Sequence, residues 1–214
     1  MPPEGTGDPT VLIPFVLASA VLALSPGPDN IFVLIQSMAR GSRAGLAIVM
    51  GLVAGCLVHT SLLALGVSQM IKHSDNLYAT IKLFGALFLL FLAWKAFGRD
   101  GGIHLQGVED PPGPPKNLFL TGLAMNVLNP KVSIFFLAFF PGFLFSGTLP
   151  LWVQFYVLGL LFMATTGIVF GLIALLSGRI SGYIIGHPRA GIGLKWLQIG
   201  VYLGIAIYLL LSEK

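Results

Sequence analysis

The stretch LSPGPDN, residues 24–30, interrupts a long apolar segment near the start of the chain. It cannot continue an α-helix, because its two prolines lack an N–H donor and clash with the preceding turn, while Gly27 adds backbone freedom. A second interruption, Asn129-Pro130-Lys131, divides another apolar run further along the chain. Unwound backbone inside a bilayer is tolerated only where protein buries it or where it lines a wet cavity. If these runs cross a membrane, the two breaks predict an internal polar site.

The composition indicates that the runs do cross a membrane. Of the 214 residues, 56% are hydrophobic and only 9% are charged, and the mean hydropathy is +0.90. Soluble domains carry about 25% charged residues, so this chain lacks the polar surface needed to stay in water. Because about 20 apolar residues cross a bilayer core, the length accommodates roughly six spans and leaves no room for a separate soluble domain. The Lys and Arg residues are scattered, which argues against a nucleic-acid partner.

Six apolar segments are long enough to span, and they predict an all-α integral membrane protein. The segments cover residues 11–38, 44–71, 77–97, 118–140, 151–176 and 192–211. We expect them to form a single transmembrane domain over residues 1–214 that divides into two halves of three helices, at about 10–98 and 118–214. The connections are short except for residues 99–117, which form a linker dense in Gly, Pro and charge.

The two breaks occupy corresponding places in the two halves. Each lies in the first segment of its half, and similar residues follow, Ile31-Phe32-Val33-Leu34 and Ile134-Phe135-Phe136-Leu137. An odd number of spans per half inserts the halves in opposite orientations, which is the inverted-repeat plan of many secondary transporters. Half-helix N-termini suit a substrate carboxylate, and carbonyl ends suit an amino group or a cation. The arrangement therefore predicts a zwitterionic ligand.

The distribution of positive charge predicts the orientation in the membrane. Eight Lys and Arg residues lie in the odd-numbered loops, including the central linker, and three lie on the other side. The positive-inside rule therefore predicts cytoplasmic odd loops and an external C-terminus. The N-terminus lies outside if the first segment crosses fully, and in the cytoplasm if the break makes it re-entrant. The first segment lacks the features of a cleaved signal peptide, so we expect it to remain.

The motifs at the breaks closely resemble those of the LysE/RhtB family of bacterial amino-acid exporters. The resemblance rests on SPGPDN at 25–30, ARG at 39–41, RAG at 43–45, NVLNPK at 126–131 and FFP at 139–141, and it covers nearly the whole chain. It implies proton-driven export of amino acids or similar small metabolites through the cytoplasmic (inner) membrane of a bacterium. It does not fix the substrate, because members differ among basic, neutral and branched-chain amino acids. The linker is longer and richer in Pro than the family pattern.

The candidate residues for substrate binding or proton coupling lie in and around the breaks: Pro26, Gly27, Pro28, Asp29, Asn30, His59, Asn126, Asn129, Pro130 and Lys131. Asp29 is either a carboxylate that binds an amine or a proton, or an N-terminal cap of the following half-helix. Lys131 either holds the substrate carboxylate, pairs with Asp29 across the two breaks, or extends toward a membrane interface.

Three further candidates have two interpretations each. His59 shares a helix face with Gly51 and Gly55, and it is either a proton relay or site-lining group, or a neutral histidine bonded to a backbone carbonyl. Asn126 and Asn129 lie three residues apart on one face. They either bind substrate or satisfy the backbone groups that the break leaves free.

Two other functional classes fit less well. Broken helices also build channels, although channel pores usually need rings of like groups from several subunits. An intramembrane enzyme would need a motif such as H-E-x-x-H or G-x-S-x-G, which the sequence lacks, and no cluster of His and carboxylates suggests a metal or cofactor. The single cysteine, Cys56, is expected to be a small packing residue. Pairs of glycines four residues apart serve packing within the bundle or in a homodimer; they lie at 51/55, 167/171, 178/182 and 200/204.

Overall fold

The computed structural model describes residues 9–25, 27–68, 75–98, 117–186 and 190–211. Regular structure in these ranges is helical, and they contain no β-strand. The α-helices are α1 Leu12–Leu24, α2 Pro28–Arg40, α3 Ser42–Leu62, α4 Asp75–Phe97, α5 Leu118–Val127, α6 Pro130–Phe139, α7 Leu151–Leu175, α8 Ser177–Gly186 and α9 Ala190–Leu211. Short 3-10 turns cover Pro9–Val11 and Phe140–Phe143, and a π-helical turn at Leu63–Val67 extends α3. The all-helical prediction is therefore confirmed for the described residues.

Two helical stretches are long and apolar enough to cross a membrane by themselves. They are Ser42–Gly66 and Leu151–Leu175, each of 25 residues. Two pairs of helices meet the same criterion only when joined, and they bend by 59° between α1 and α2 and by 53° in the run from α5 through α6. The described part of the chain thus holds two candidate spans, or up to four if each bent pair is one span. Two shorter apolar stretches, Leu83–Phe97 and Ile192–Tyr208, lie in α4 and α9.

The helix breaks fall where the prolines predict them. In the first apolar segment, α1 ends at Leu24 and α2 begins at Pro28, with Gly27 as an extended N-cap residue. In the fourth segment, α5 ends at Val127 and α6 begins at Pro130. Proline is well tolerated at the first position of a helix, where its missing N–H has no partner to lose. The prolines therefore end one half-helix and start the next.

Glycines bring α3 and α5 into backbone contact. A Cβ atom on Gly51 would lie 2.0 Å from the carbonyl oxygen of Phe119, and one on Gly122 would lie 2.2 Å from that of Ile48. At Gly55, a Cβ atom would lie 2.6 Å from Oδ1 of Asn126. The 51/55 pair thus serves packing within the chain, as one of the two sequence interpretations held, and it seats Asn126 against α3.

The other glycine pairs do not make such contacts within the described residues. A Cβ atom on Gly167 would meet Val53 at 3.6 Å, an ordinary contact distance. Cβ atoms at positions 171, 178, 182, 200 and 204 would meet nothing within 4 Å. The homodimer interpretation of these pairs stays a prediction.

Two apolar clusters flank the region of the breaks. The larger contains stacked and edge-on phenylalanines, among them Phe135 and Phe162, whose ring centroids lie 5.7 Å apart. The smaller contains Ala23, Phe32 and Phe170. Residues of both clusters border the same cavity, so the core fixes the walls of the candidate site.

Candidate functional site

A cavity of about 50 Å³ lies where the two helix breaks meet. Its polar lining comes from both breaks and from α3 and α7, and consists of Asp29, Asn30, Cys56, Asn126, Asn129 and Thr166. The remaining lining is apolar or backbone, from Leu22, Ala23, Gly27, Pro28, Val132, Phe135, Phe162 and Phe170. The structure therefore joins residues of the two predicted breaks in a single site.

Asp29 is the acidic group of this cavity. Its side chain is only 9% exposed, and it lies in the first turn of α2, where the positive end of the helix dipole stabilises a carboxylate. The side-chain amide of Asn129 donates a hydrogen bond to Asp29 Oδ2 at 3.2 Å, which links residues 100 positions apart in the sequence. The interpretation of Asp29 as the N-terminal cap of α2 is wrong, because α2 begins at Pro28 and its N-cap residue is Gly27.

Asn30 satisfies backbone that the first break leaves free. Its side-chain nitrogen donates to the carbonyl oxygen of Ala23, near the end of α1, at 2.5 Å. That carbonyl belongs to the last turn of a helix, whose acceptors have no partner further along the helix. Asn30 thus fastens α1 to α2 while it also borders the cavity.

Asn126 connects the cavity to α3. Its Nδ2 donates to Sγ of Cys56 at 3.6 Å, and its backbone carbonyl accepts a hydrogen bond from Nε2 of His59 at 3.2 Å. Its Oδ1 atom is buried and has no hydrogen-bond partner. Because buried polar atoms are normally paired, an acceptor without a partner in a residue that borders the cavity is a candidate to bind a ligand.

His59 lies behind the cavity wall. It is buried, its ring centroid lies 5.3 Å from that of Phe136, and it is not among the cavity-lining residues. Its bond to the Asn126 carbonyl favours the second of the two sequence interpretations, a histidine bonded to a backbone carbonyl. His59 therefore supports the position of Asn126.

Thr166 and Cys56 are cavity residues that the sequence analysis did not select. Thr166 lies on α7 and is 4% exposed, and its Oγ1 atom is buried without a hydrogen-bond partner. The sequence contained a signal for Thr166: it is a polar residue in an apolar segment, four residues from Phe162 and four from Phe170, and so on the same helix face as both. Cys56 was interpreted only as a packing residue, and its burial agrees with that.

Two predicted site residues lie outside what the structure describes. These are Pro26 and the side chain of Lys131, so the proposed pair between Asp29 and Lys131 stays a prediction. Of the other predicted residues, Gly27 and Pro28 border the cavity and Pro130 begins α6. Within the described ranges, no group of three or more His, Cys, Asp or Glu residues is placed to hold a metal ion.

Comparison with known proteins gives the family. The sequence matches the LysE type translocators over residues 20–212. The chain belongs to this family. The LysE family chain is therefore a multi-pass membrane protein that translocates a small molecule, and it is not an enzyme. No solved structure matches it.

Several relatives of this LysE family chain are bacterial membrane proteins. A homoserine/homoserine lactone efflux protein of Salmonella typhimurium is 28% identical over 175 residues, which cover 82% of this chain and 84% of the relative. A leucine efflux protein of Enterobacter sp. is 28% identical over 61% of this chain and 62% of the relative. An uncharacterised membrane protein of Pseudomonas aeruginosa is 26% identical over 90% of this chain and 94% of the relative.

Proposed function

We propose that the chain exports a small zwitterionic amino acid, or a closely related metabolite, from the bacterial cytoplasm in exchange for protons. The observation that carries the proposal is the position of Asp29, a buried carboxylate in a small cavity where two helix breaks meet. Ionisable groups at membrane depth are costly, and they commonly mark substrate or proton pathways. The efflux proteins named among the relatives support the direction of transport.

The amino group of the substrate would bind to Asp29 and to the free Oδ1 acceptor of Asn126. Both residues border the cavity, and a carboxylate and an amide oxygen both accept hydrogen bonds from an ammonium. The substrate carboxylate would lie toward the N-terminus of α6, which begins at Pro130, or on Lys131. A proton and an ammonium would compete for Asp29, and this competition would couple export of one to entry of the other.

The proposed architecture is a single domain with two inverted repeats of three spans, at about 10–98 and 118–214. It is supported by the two similar bends, 59° and 53°, in the first segment of each half. Equivalent helices also pack in equivalent pairs. Helix α3 of the first half packs against α5 of the second, and correspondingly α7 of the second half packs against α1 of the first. The equivalent helices α3 and α7 also meet, as do α4 and α9. Alternating access would then arise from movement of one repeat against the other around the cavity.

The proposal is tested by measuring which metabolites appear outside cells that overproduce the protein. Cells are loaded with dipeptides, and the medium is surveyed by mass spectrometry for the native protein, Asp29→Asn and the control Asp75→Asn at equal membrane abundance. We expect one or a few amino acids to appear outside with the native protein and with Asp75→Asn, and Asp29→Asn to reduce them to background. Collapse of the proton gradient should also stop this export.

Two results would contradict the proposal. Export that is unchanged in Asp29→Asn would remove this carboxylate from the mechanism. Export that continues after the proton gradient is collapsed would instead support the channel alternative, because a channel needs only the gradient of the solute itself.

A further inference from the structure

Thr166 differs from eight other hydroxyl side chains in the described part of the helices. A helical Ser or Thr commonly donates to the carbonyl oxygen four residues earlier. In this protein such bonds are made by Ser19, Ser37, Thr60, Ser61, Ser68, Thr121, Ser133 and Thr165. Thr165 is bonded in this way to Leu161 at 2.8 Å, whereas the neighbouring Thr166 has no hydrogen-bond partner for Oγ1.

The surroundings of Thr166 are apolar. Phe162 and Phe170 lie one helical turn before and after it on α7, and both border the same cavity. An unpaired hydroxyl in such a wall loses its hydration without gaining a partner. The break residues that supply the other polar groups come from different helices, so Thr166 adds a separate hydrogen-bonding point to the cavity. A ligand that supplies the missing partner would gain more than an apolar ligand of the same shape.

We propose that Thr166 donates a hydrogen bond to an oxygen in the side chain of the substrate. This inference rests on the proposed function, and it narrows the substrate class. The protein prefers small amino acids, or their derivatives, that carry a side-chain hydroxyl or carbonyl over aliphatic amino acids of the same shape. The discrimination follows because an aliphatic side chain leaves the Thr166 hydroxyl unpaired, and sites that hydrogen-bond a substrate reject analogues that lack the bonding group.

The test compares two substrates of nearly equal shape in one vesicle preparation. L-Threonine and L-valine differ by a hydroxyl in place of a methyl group. Vesicles that contain the purified protein are loaded with both, an inward proton gradient is imposed, and the initial rates of release are measured together. The ratio of the two rates is independent of how much active protein each preparation holds.

Native protein should release threonine faster than valine, and Thr166→Val should lower the threonine-to-valine ratio about tenfold, as expected for loss of one hydrogen bond. Thr166→Ser keeps the hydroxyl and should keep most of the preference. The matched control Thr165→Val removes the neighbouring hydroxyl, which is already bonded to Leu161, and should leave the ratio unchanged. If Thr166→Val fails to insert into the membrane, Thr166→Ala, which also lacks the hydroxyl, replaces it in the same experiment.

The outcomes separate this inference from the function on which it rests. A native preference for valine, a ratio unmoved in both Thr166→Val and Thr166→Ala, or an equal loss in Thr165→Val would overturn the role of Thr166 and leave amino-acid export standing. Absence of proton-dependent release of any amino acid by the native protein would overturn both.

Discussion

Gln36 is another buried polar residue whose side chain has no hydrogen-bond partner. It is fully buried on α2, seven residues after Asp29 and so on the same helix face, and neither atom of its amide has a hydrogen-bond partner. Gln154 provides a contrast, because it is equally buried but fully bonded. Its Oε1 accepts from the backbone N–H groups of Phe145 and Ser146, and its Nε2 donates to the carbonyl oxygens of Ser146 and Leu149.

These two glutamines should respond in opposite directions to the same substitution. Gln36→Leu removes an amide that is desolvated without a partner, a state that costs about 1–3 kcal/mol, so we expect the unfolding temperature to rise. Gln154→Leu leaves backbone donors and acceptors unpaired and should lower it. Thermal unfolding of the purified variants in one detergent measures both. A loss of stability in Gln36→Leu as large as that in Gln154→Leu would indicate a partner for Gln36 that the structure does not contain.

At the scale of residues, the sequence predicts which polar residues line the cavity better than it predicts their hydrogen-bond partners. Asp29, Asn126 and Asn129 stand out in a sequence because ionisable and amide groups are rare in apolar segments. Thr166 does not, since hydroxyls in membrane helices usually bond to their own backbone. Only the fold shows that Thr165 does so and Thr166 does not. The bond from Asn129 to Asp29 likewise depends on how two breaks, 100 positions apart, come together.

At the scale of elements, the crossing of α3 and α5 depends on two glycines. Gly51→Ala and Gly122→Ala would each place a methyl group within 2.2 Å of a backbone carbonyl oxygen, which cannot move without moving its helix. We expect each to lower stability by about 1–3 kcal/mol or more. Gly171→Ala on α7 meets nothing within 4 Å and is the matched control. It should be neutral or stabilise by up to about 1 kcal/mol, because alanine favours the helix.

Each variant is heated in detergent, and size-exclusion chromatography then measures the fraction of protein that remains monodisperse. Gly51→Ala and Gly122→Ala that survive heating like the native protein would contradict the close crossing. Transport should fall together with stability in both, since the same crossing seats Asn126 beside the cavity. A loss in Gly171→Ala as large as in the other two would show that any added methyl group harms the protein.

The helix breaks can be predicted from the sequence because proline acts locally. The shorter helices are harder to predict. Each of the six predicted apolar segments contains helix in the structure, and both breaks begin and end within a few residues of the prolines. The helix α8 lies in what the sequence analysis treated as a connection. Its sequence, SGRISGYIIG, is rich in Gly and Ser, whose local preferences favour loops, and it packs against α2 and α7. Tertiary contacts therefore decide its structure.

At the scale of the whole molecule, the proposed six-span arrangement makes a prediction about sidedness. Because each half has an odd number of spans, the second repeat is inverted relative to the first. A residue in the first connection and one in the fourth are separated by three spans and must lie on opposite faces of the membrane. The charge distribution further predicts that the first connection is cytoplasmic. Arg43, in the first turn of α3 beside the first connection, and Thr148, in the fourth connection, are both exposed. Each is a suitable position for a single labelled cysteine.

Intact cells that express Arg43→Cys or Thr148→Cys are treated with a membrane-impermeant maleimide before and after permeabilisation. We expect Thr148→Cys to react in intact cells and Arg43→Cys to react only after permeabilisation. The native protein is the control, because its single cysteine, Cys56, is fully buried in the core and should stay unlabelled in both conditions. Labelling of both variants from one side would rule out three spans between these positions. Reversed sidedness would keep the repeats but invert the molecule, and the export direction would then need another explanation.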